Sequence, residues 1–162
     1  MTTQSHPWKQ TLERQAKALQ AFTETHRLTT LTRVKLEESV VLGCYALRRL
    51  VNGFLLSESC CHQSLSMTVF PRRPQSVPLL GDEPLPTRYN LDAGRVAPHD
   101  LMFLCHQVLQ NCVFEPWLNT DHRLTGIYIT SDHQHKIALY GVSLSALSDR
   151  FLHLSTNTTQ TE

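Results

Sequence analysis

Histidine is the residue type with most chemistry to offer here, at nine of 162 residues, roughly double its usual share. An imidazole can give or take a proton near neutral pH. His99 and His106 stand seven residues apart, so on one helix they share a face with Phe103 and Gln110, and with Gln107 and Asn111 beside it. His106 and Gln110 are then neighbours one turn apart. His99, His106, Gln110 and Asn111 form the candidate binding strip. Its pattern does not specify a reaction, because a polar helix side turned to solvent or to a loop looks the same.

Metal chemistry has weaker support. Cys60, Cys61 and His62, then Cys105 with His106, then His133 with His135, supply ligand types. The chain lacks paired Cys-x-x-Cys or His-x-x-x-His spacing, and adjacent Cys60 and Cys61 suit one tetrahedral site poorly. The expectation is no metal and no cofactor. Cys60 or Cys61 as a nucleophile would need a histidine base, and no local signature provides one. Arg48 and Arg49 could hold a phosphate, yet two cations late in a helix also suit its dipole. The six glycines are isolated, so no phosphate-cradling loop is present.

The elements that must position these groups follow from periodicity. Leu36, Val40, Cys44, Leu47, Val51 and Phe54 recur at helical steps within a long apolar helix over 31–56. Val41, Leu42, Tyr45, Leu50 and Leu55 fill much of its other side, which predicts a buried rod covered from several directions. Before it, Pro7 to His26 reads as an amphipathic helix with the stripe Trp8, Leu12, Gln15 or Ala16, Leu19 and Phe22. The short threonine-rich link predicts an antiparallel helical hairpin. Leu65, Met67 and Val69 alternate as a short strand. Residues 71–97 read as a proline-rich covering loop with extended pieces, the span from Pro71 to Pro98 carrying six of the eight prolines.

A third helix is predicted from Pro98 to just before Pro116, with Leu101, Leu104 or Cys105, Val108 and Cys112 facing the core. Leu124 to Thr130 and His135 to Val142 read as a β-hairpin around SDHQH, and Leu144, Leu147 and Phe151 as a short last helix. The expected fold is α+β: a helical hairpin, a third helix, a small C-terminal β-hairpin and a short last helix. Residues 1–154 are expected to form one domain, followed by a disordered tail over 155–162. A net charge of +1 gives no broad field for nucleic acid or an anionic membrane. The uncharged run between Glu38 and Arg48 is too short to span a bilayer. With no leader-like apolar segment at the start and five cysteines, an odd number, a reducing cytoplasm is the expected compartment.

Three stretches carry a family resemblance: LEESVVLGCYALRRLVNGFLLS, FLCHQVLQNCVFEP and LTGIYITSDHQHKIALYGVSL. They resemble small bacterial proteins with an Arg-Lys-Leu-like helix, an Asn-Gln-x-x-His-Ser-like helix and a hairpin around a Ser-Asp turn. The helical part looks like the HEPN superfamily (higher eukaryotes and prokaryotes nucleotide-binding), many of whose members are RNases of toxin or antiphage systems. Those nucleases place a His four to six residues after an Arg on one helix. Here His106 takes the earlier polar position, and Gln110 and Asn111 stand where the histidine would be. Glutamine does not titrate in the useful range. The resemblance therefore implies a degenerate member that keeps the fold for binding, with Arg48, Arg49 and His106 lining a remnant site.

Two functions remain from these observations. The first is a non-catalytic interaction protein that binds a protein partner or a second copy of itself. The second is a HEPN-like RNase using His106 with Arg48 or Arg49, for which RNA is a possible partner. Neither reading needs a membrane.

Overall fold

The computed structural model describes residues 6–61, 63–74 and 83–157. The chain opens with α1 (His6–Phe22), where Leu12, Ala16 and Leu19 are wholly buried at helical spacing. The helix stops four residues short of the predicted His26. Thr29 then accepts a hydrogen bond from the Thr32 N–H through its side chain and caps α2 (Thr30–Asn52). Trp8 meets Tyr45 edge-on, ring centroids 5.4 Å apart. The start of α1 thus lies against the later half of α2, which is the expected antiparallel hairpin.

The α2 face predicted to be core is so at Leu36, Val40, Cys44 and Leu47. It ends early, however. The Gly53 N–H closes on Arg49 O, Phe54 takes a left-handed φ of 56°, and its ring is 90% exposed. Leu42 and Tyr45 are exposed as well, correcting the expectation of a rod enclosed all round. Layering explains this. Helices α5 (Leu101–Leu109) and α6 (Leu144–Thr156) rest on the sheet, while α1 packs on α6 and α2 packs on α1 and α5. One side of α2 is left facing water. At Gly43 an added Cβ would lie 2.3 Å from Phe151 Cε2, so the missing side chain is what lets α6 approach α2.

The one-turn helix α3 (Glu58–Cys61) precedes β1 (Ser64–Pro71), which was predicted as a shorter strand. The remaining strands are β2 (Arg95–Asp100), β3 (Asn111–Leu118), β4 (Leu124–Ser131) and β5 (Ala138–Ser143). They form one antiparallel sheet in the order β2-β1-β5-β4-β3. The protein is therefore α+β as expected, but with a different arrangement. The predicted C-terminal hairpin β4–β5 is not a small appendage: β5 pairs with both β1 and β4 in the middle of the sheet.

The largest correction concerns the third helix. It begins at Leu101, capped by the Asp100 side chain, and is over by Leu109. His99 belongs to β2, Gln110 caps the helix end, and Asn111 and Cys112 belong to β3, with Cys112 exposed rather than in a helical core stripe. Asn111 Nδ2 donates to Val108 O, satisfying a terminal carbonyl, and the β-prone Val113, Phe114 and Trp117 follow. Pro116 does not end a helix; it sits in an edge strand, where its lost donor is tolerated. Pro98 occupies the other edge strand.

Within the proline-rich stretch a single helical turn, α4 (Leu85–Arg88), survives because its proline lies in the first turn. Residues 75–82 fall outside the description, as do 158–162 of the expected disordered tail. Ser155 and Thr156, placed in that tail, end α6 instead. Strand alternation divides the apolar residues between two faces. Leu65, Met67, Ile127, Ile129, Tyr140 and Val142 join the helices in the main core. Phe70, Val113 and Leu139 face the other way and pack with Tyr89. Among the described residues no helix is long and apolar enough to cross a membrane.

Candidate functional site

The polar groups of interest converge on the turn between β4 and β5. The turn closes on itself: the His135 N–H donates to Ser131 O at 2.8 Å, and Thr130 Oγ1 donates to Ala138 O at 2.9 Å. The end of α5 clamps it from the helical side. Gln107, almost fully buried, accepts the Ser131 N–H at 3.1 Å, and Gln110 O accepts the Asp132 N–H. Tyr140 donates through its hydroxyl to Gln134 Oε1 at 3.2 Å. From the opposite face the Tyr89 hydroxyl donates to His135 O at 2.7 Å, and Arg72 Nη1 reaches the same oxygen at 3.4 Å while its guanidinium covers the Tyr89 ring. The turn is the place where the two faces of the sheet meet.

Each predicted site residue can now be located. His106 is exposed on α5 and stacks on His133 of the turn, ring centroids 5.9 Å apart. His99 does not share a helical face with it. From β2 it stacks on Phe103 at 4.9 Å and meets Tyr140 edge-on at 5.6 Å. Gln110 and Asn111 serve the helix end through their backbone and side chain respectively. Arg48 and Arg49 are exposed on α2, where Arg49 lies over Trp8 at 5.6 Å. Among the described contacts neither arginine reaches His106.

Four buried side-chain polar atoms of the described residues have no hydrogen-bond partner: His99 Nε2, Ser131 Oγ, His135 Nδ1 and Arg88 Nε. Such orphans are rare in native proteins, and each asks for a reason. All four border the turn or the residues that touch it. Arg88 and Gln107 were missed from the sequence. Arg88 stands in a proline-rich stretch that reads as loop, and only an Arg-Tyr pair among prolines sets it apart. Gln107 is, by spacing alone, only a neighbour of the polar strip.

The electrostatics around the turn disfavour charged nucleophiles. Burial pushes the His135 imidazole below its usual value, with Lys136 and Arg72 adding to it. The Cys112 residue is largely exposed, but its sulfur sits 3.7 Å from Thr130 O; partial burial there, with Asp132 next, pushes the thiol up. Burial also raises the phenols of Tyr89, Tyr128 and Tyr140. The buried thiol of Cys44 is raised chiefly by its hydrogen bond with Cys105. Cys60 is buried among Ser57 and Asn157, and only the backbone of Cys61 is described. No three His, Cys, Asp or Glu side chains of the described residues gather into a metal-binding group.

Comparisons of this chain with protein-family models, curated proteins and solved structures return no match.

Proposed function

We propose that the protein is a non-catalytic interaction protein, and that the partner seated on its α2 face is a second copy of the same chain. The carrying observation is the outward stripe of α2. Leu31, Val34, Leu42 and Tyr45 are 63%, 56%, 38% and 44% exposed, and their spacing puts them on one side of the longest helix. Charge chooses the occupant. Glu37 and Glu38 lie in the first half of α2, and Arg48 and Arg49 in the second. Antiparallel self-pairing about Leu42 and Tyr45 brings Glu38 of each helix towards Arg49 of the other, while Arg33 and Lys35 lie nearer the helix start, and both charge matches form at once by symmetry. The HEPN-like resemblance enters this reading as a binding scaffold without its catalytic pair.

Sedimentation equilibrium of the full chain tests it. The wild type is expected to be dimeric at micromolar concentration, and Leu42→Glu with Tyr45→Glu to weaken association more than tenfold while leaving the circular dichroism spectrum unchanged. A wild-type monomer at 100-fold higher concentration removes the self-pairing. RNA cleavage by the purified protein, lost on His106→Ala, would replace the whole reading with the HEPN-like RNase.

A further inference from the structure

The helices leave one face of the sheet bare, and the 83–94 segment roofs it. Between that roof and strands β3 and β4 lies a cleft of about 540 Å³, within the usual size of a small-molecule site. Its walls are about evenly polar and apolar: Pro84, Leu85, Pro86 and Leu91 on the roof and Pro116 and Tyr128 on the sheet supply the apolar part, and Glu83, Glu115 and Arg88 the charged part. Arg88 is the one cation among the described lining residues. It is 8% exposed, and its Nε has no hydrogen-bond partner. The ion pairs of the described residues join Lys17 to Glu13 and Arg33 to Glu115, and none reaches Arg88.

A guanidinium cannot shed its charge, so a buried one without a counter-ion is a standing cost to the fold. Tyr89, Cys112 and His135 all feel that charge, and although Glu83 and Glu115 line the same cleft, neither is in ion-pair contact with Arg88. The planar fork of an arginine matches a carboxylate with two parallel hydrogen bonds. We propose that this cleft binds a small organic monocarboxylate, its carboxylate paired with Arg88 and its apolar body against Leu85, Leu91 and Tyr128. One buried cation balances one negative charge. Glu83 and Glu115 also line the cleft, Glu115 already paired with Arg33, and they repel a dianion such as phosphate about twice as strongly as a monoanion. The apolar part of the lining, Leu85, Leu91 and Tyr128 beside Arg88, calls for a hydrocarbon or aromatic body rather than a bare ion.

The test is isothermal titration of the full chain with sodium benzoate, and with two probes that each carry half of its chemistry: benzyl alcohol for the body, inorganic phosphate for the charge. Benzoate binds saturably at about 1 mM or tighter, and both other probes bind at least tenfold more weakly. Arg88→Gln lowers benzoate affinity at least tenfold, and Arg88→Lys recovers part of it. Because Arg88 is held to serve a ligand and not the fold, Arg88→Met leaves the thermal midpoint of the ligand-free protein unchanged or raises it. The proposal is overturned by absent saturation with benzoate, by equal binding of benzyl alcohol, by tighter binding of phosphate, or by unchanged affinity in Arg88→Gln. A lowered midpoint in Arg88→Met overturns it too, since Arg88 would then be paired within the protein.

Discussion

The two faces of the five-stranded sheet are built to different standards. On one face α5 and α6 press directly on β4 and β5, α1 and α2 pack behind them, and a continuous core runs from Leu12 to Leu154. On the other face three buried strand residues, Phe70, Val113 and Leu139, are covered by a short segment that contributes the buried Tyr89. On the helical face Ser148 Oγ, fully buried, donates to Ala16 O at 2.7 Å and ties α6 to α1, while His99 Nε2, beside Phe103 and Tyr140, has no hydrogen-bond partner. The thin face keeps a buried arginine, Arg88, whose Nε has no hydrogen-bond partner, and a cleft beside it. Stability is concentrated where packing is thick, and open chemistry where it is thin, as expected when a rigid scaffold carries a binding segment.

The comparison breaks most directly at Phe151. Its ring is fully buried against Gly43 between α6 and α2. Phe151→Ala is expected to destabilise the fold by about 3–5 kcal/mol, a large part of the roughly 5–15 kcal/mol available to a domain. Chemical denaturation of the variant measures it. A loss below about 1 kcal/mol would mean the helical layers can collapse around the hole, and the contrast between faces would be weaker than the packing indicates.

On the thin face the corresponding change is Tyr89→Phe. It keeps the buried ring and removes only the hydroxyl that donates to His135 O, an oxygen that Arg72 also approaches. The expected loss is about 1 kcal/mol, with faster amide exchange confined to the β4–β5 turn. An effect as large as that of Phe151→Ala would show the roof to be integral to the core, and the two faces would have to be treated as one.

The same contrast governs what could be read from the sequence. Helical periodicity exposed Leu12, Ala16 and Leu19, and likewise Leu36, Val40, Cys44 and Leu47, because their burial repeats with the turn of a helix they form locally. It carried too far at Phe54, where the chain has already reversed after Gly53, and at Cys112, where the apolar spacing of α5 runs on into a strand by coincidence. β3 and β2 were illegible for a non-local reason. Each is a strand because of its partner, with Phe114 opposite Ile129 and Ala97 opposite Met67, and each contains a proline that reads locally as a break. The site divides in the same way. His106 was legible as a residue, but its companion His133 arrives through sheet topology. Arg88 carried no periodic signal at all, since it ends a single helical turn set among prolines, too short to show a period.

The smallest expected effect is also the finest probe of the junction between the faces. His135 is half-buried in the turn with Nδ1 shut off from solvent. Burial, then Lys136 and Arg72, hold its imidazole below the ordinary value of 6.5, with Arg88 adding slightly and Asp132 opposing. As pH falls through about 6.5 the unfolded chain takes up a proton at this position while the folded chain does not. More protons bound in the unfolded state means stability that decreases as pH falls. The decrease should end once the lowered folded value is passed and both states are protonated. Denaturant midpoints between pH 7.5 and 4.5 for the wild type and His135→Gln isolate this contribution from that of the other histidines, with a flatter curve expected for the variant. A variant curve steeper than the wild type over that window would mean His135 gains a proton on folding. Asp132 would then outweigh the burial of the turn, and the junction would have to be a wetter place than the packing of Tyr89 and Gln107 around it allows.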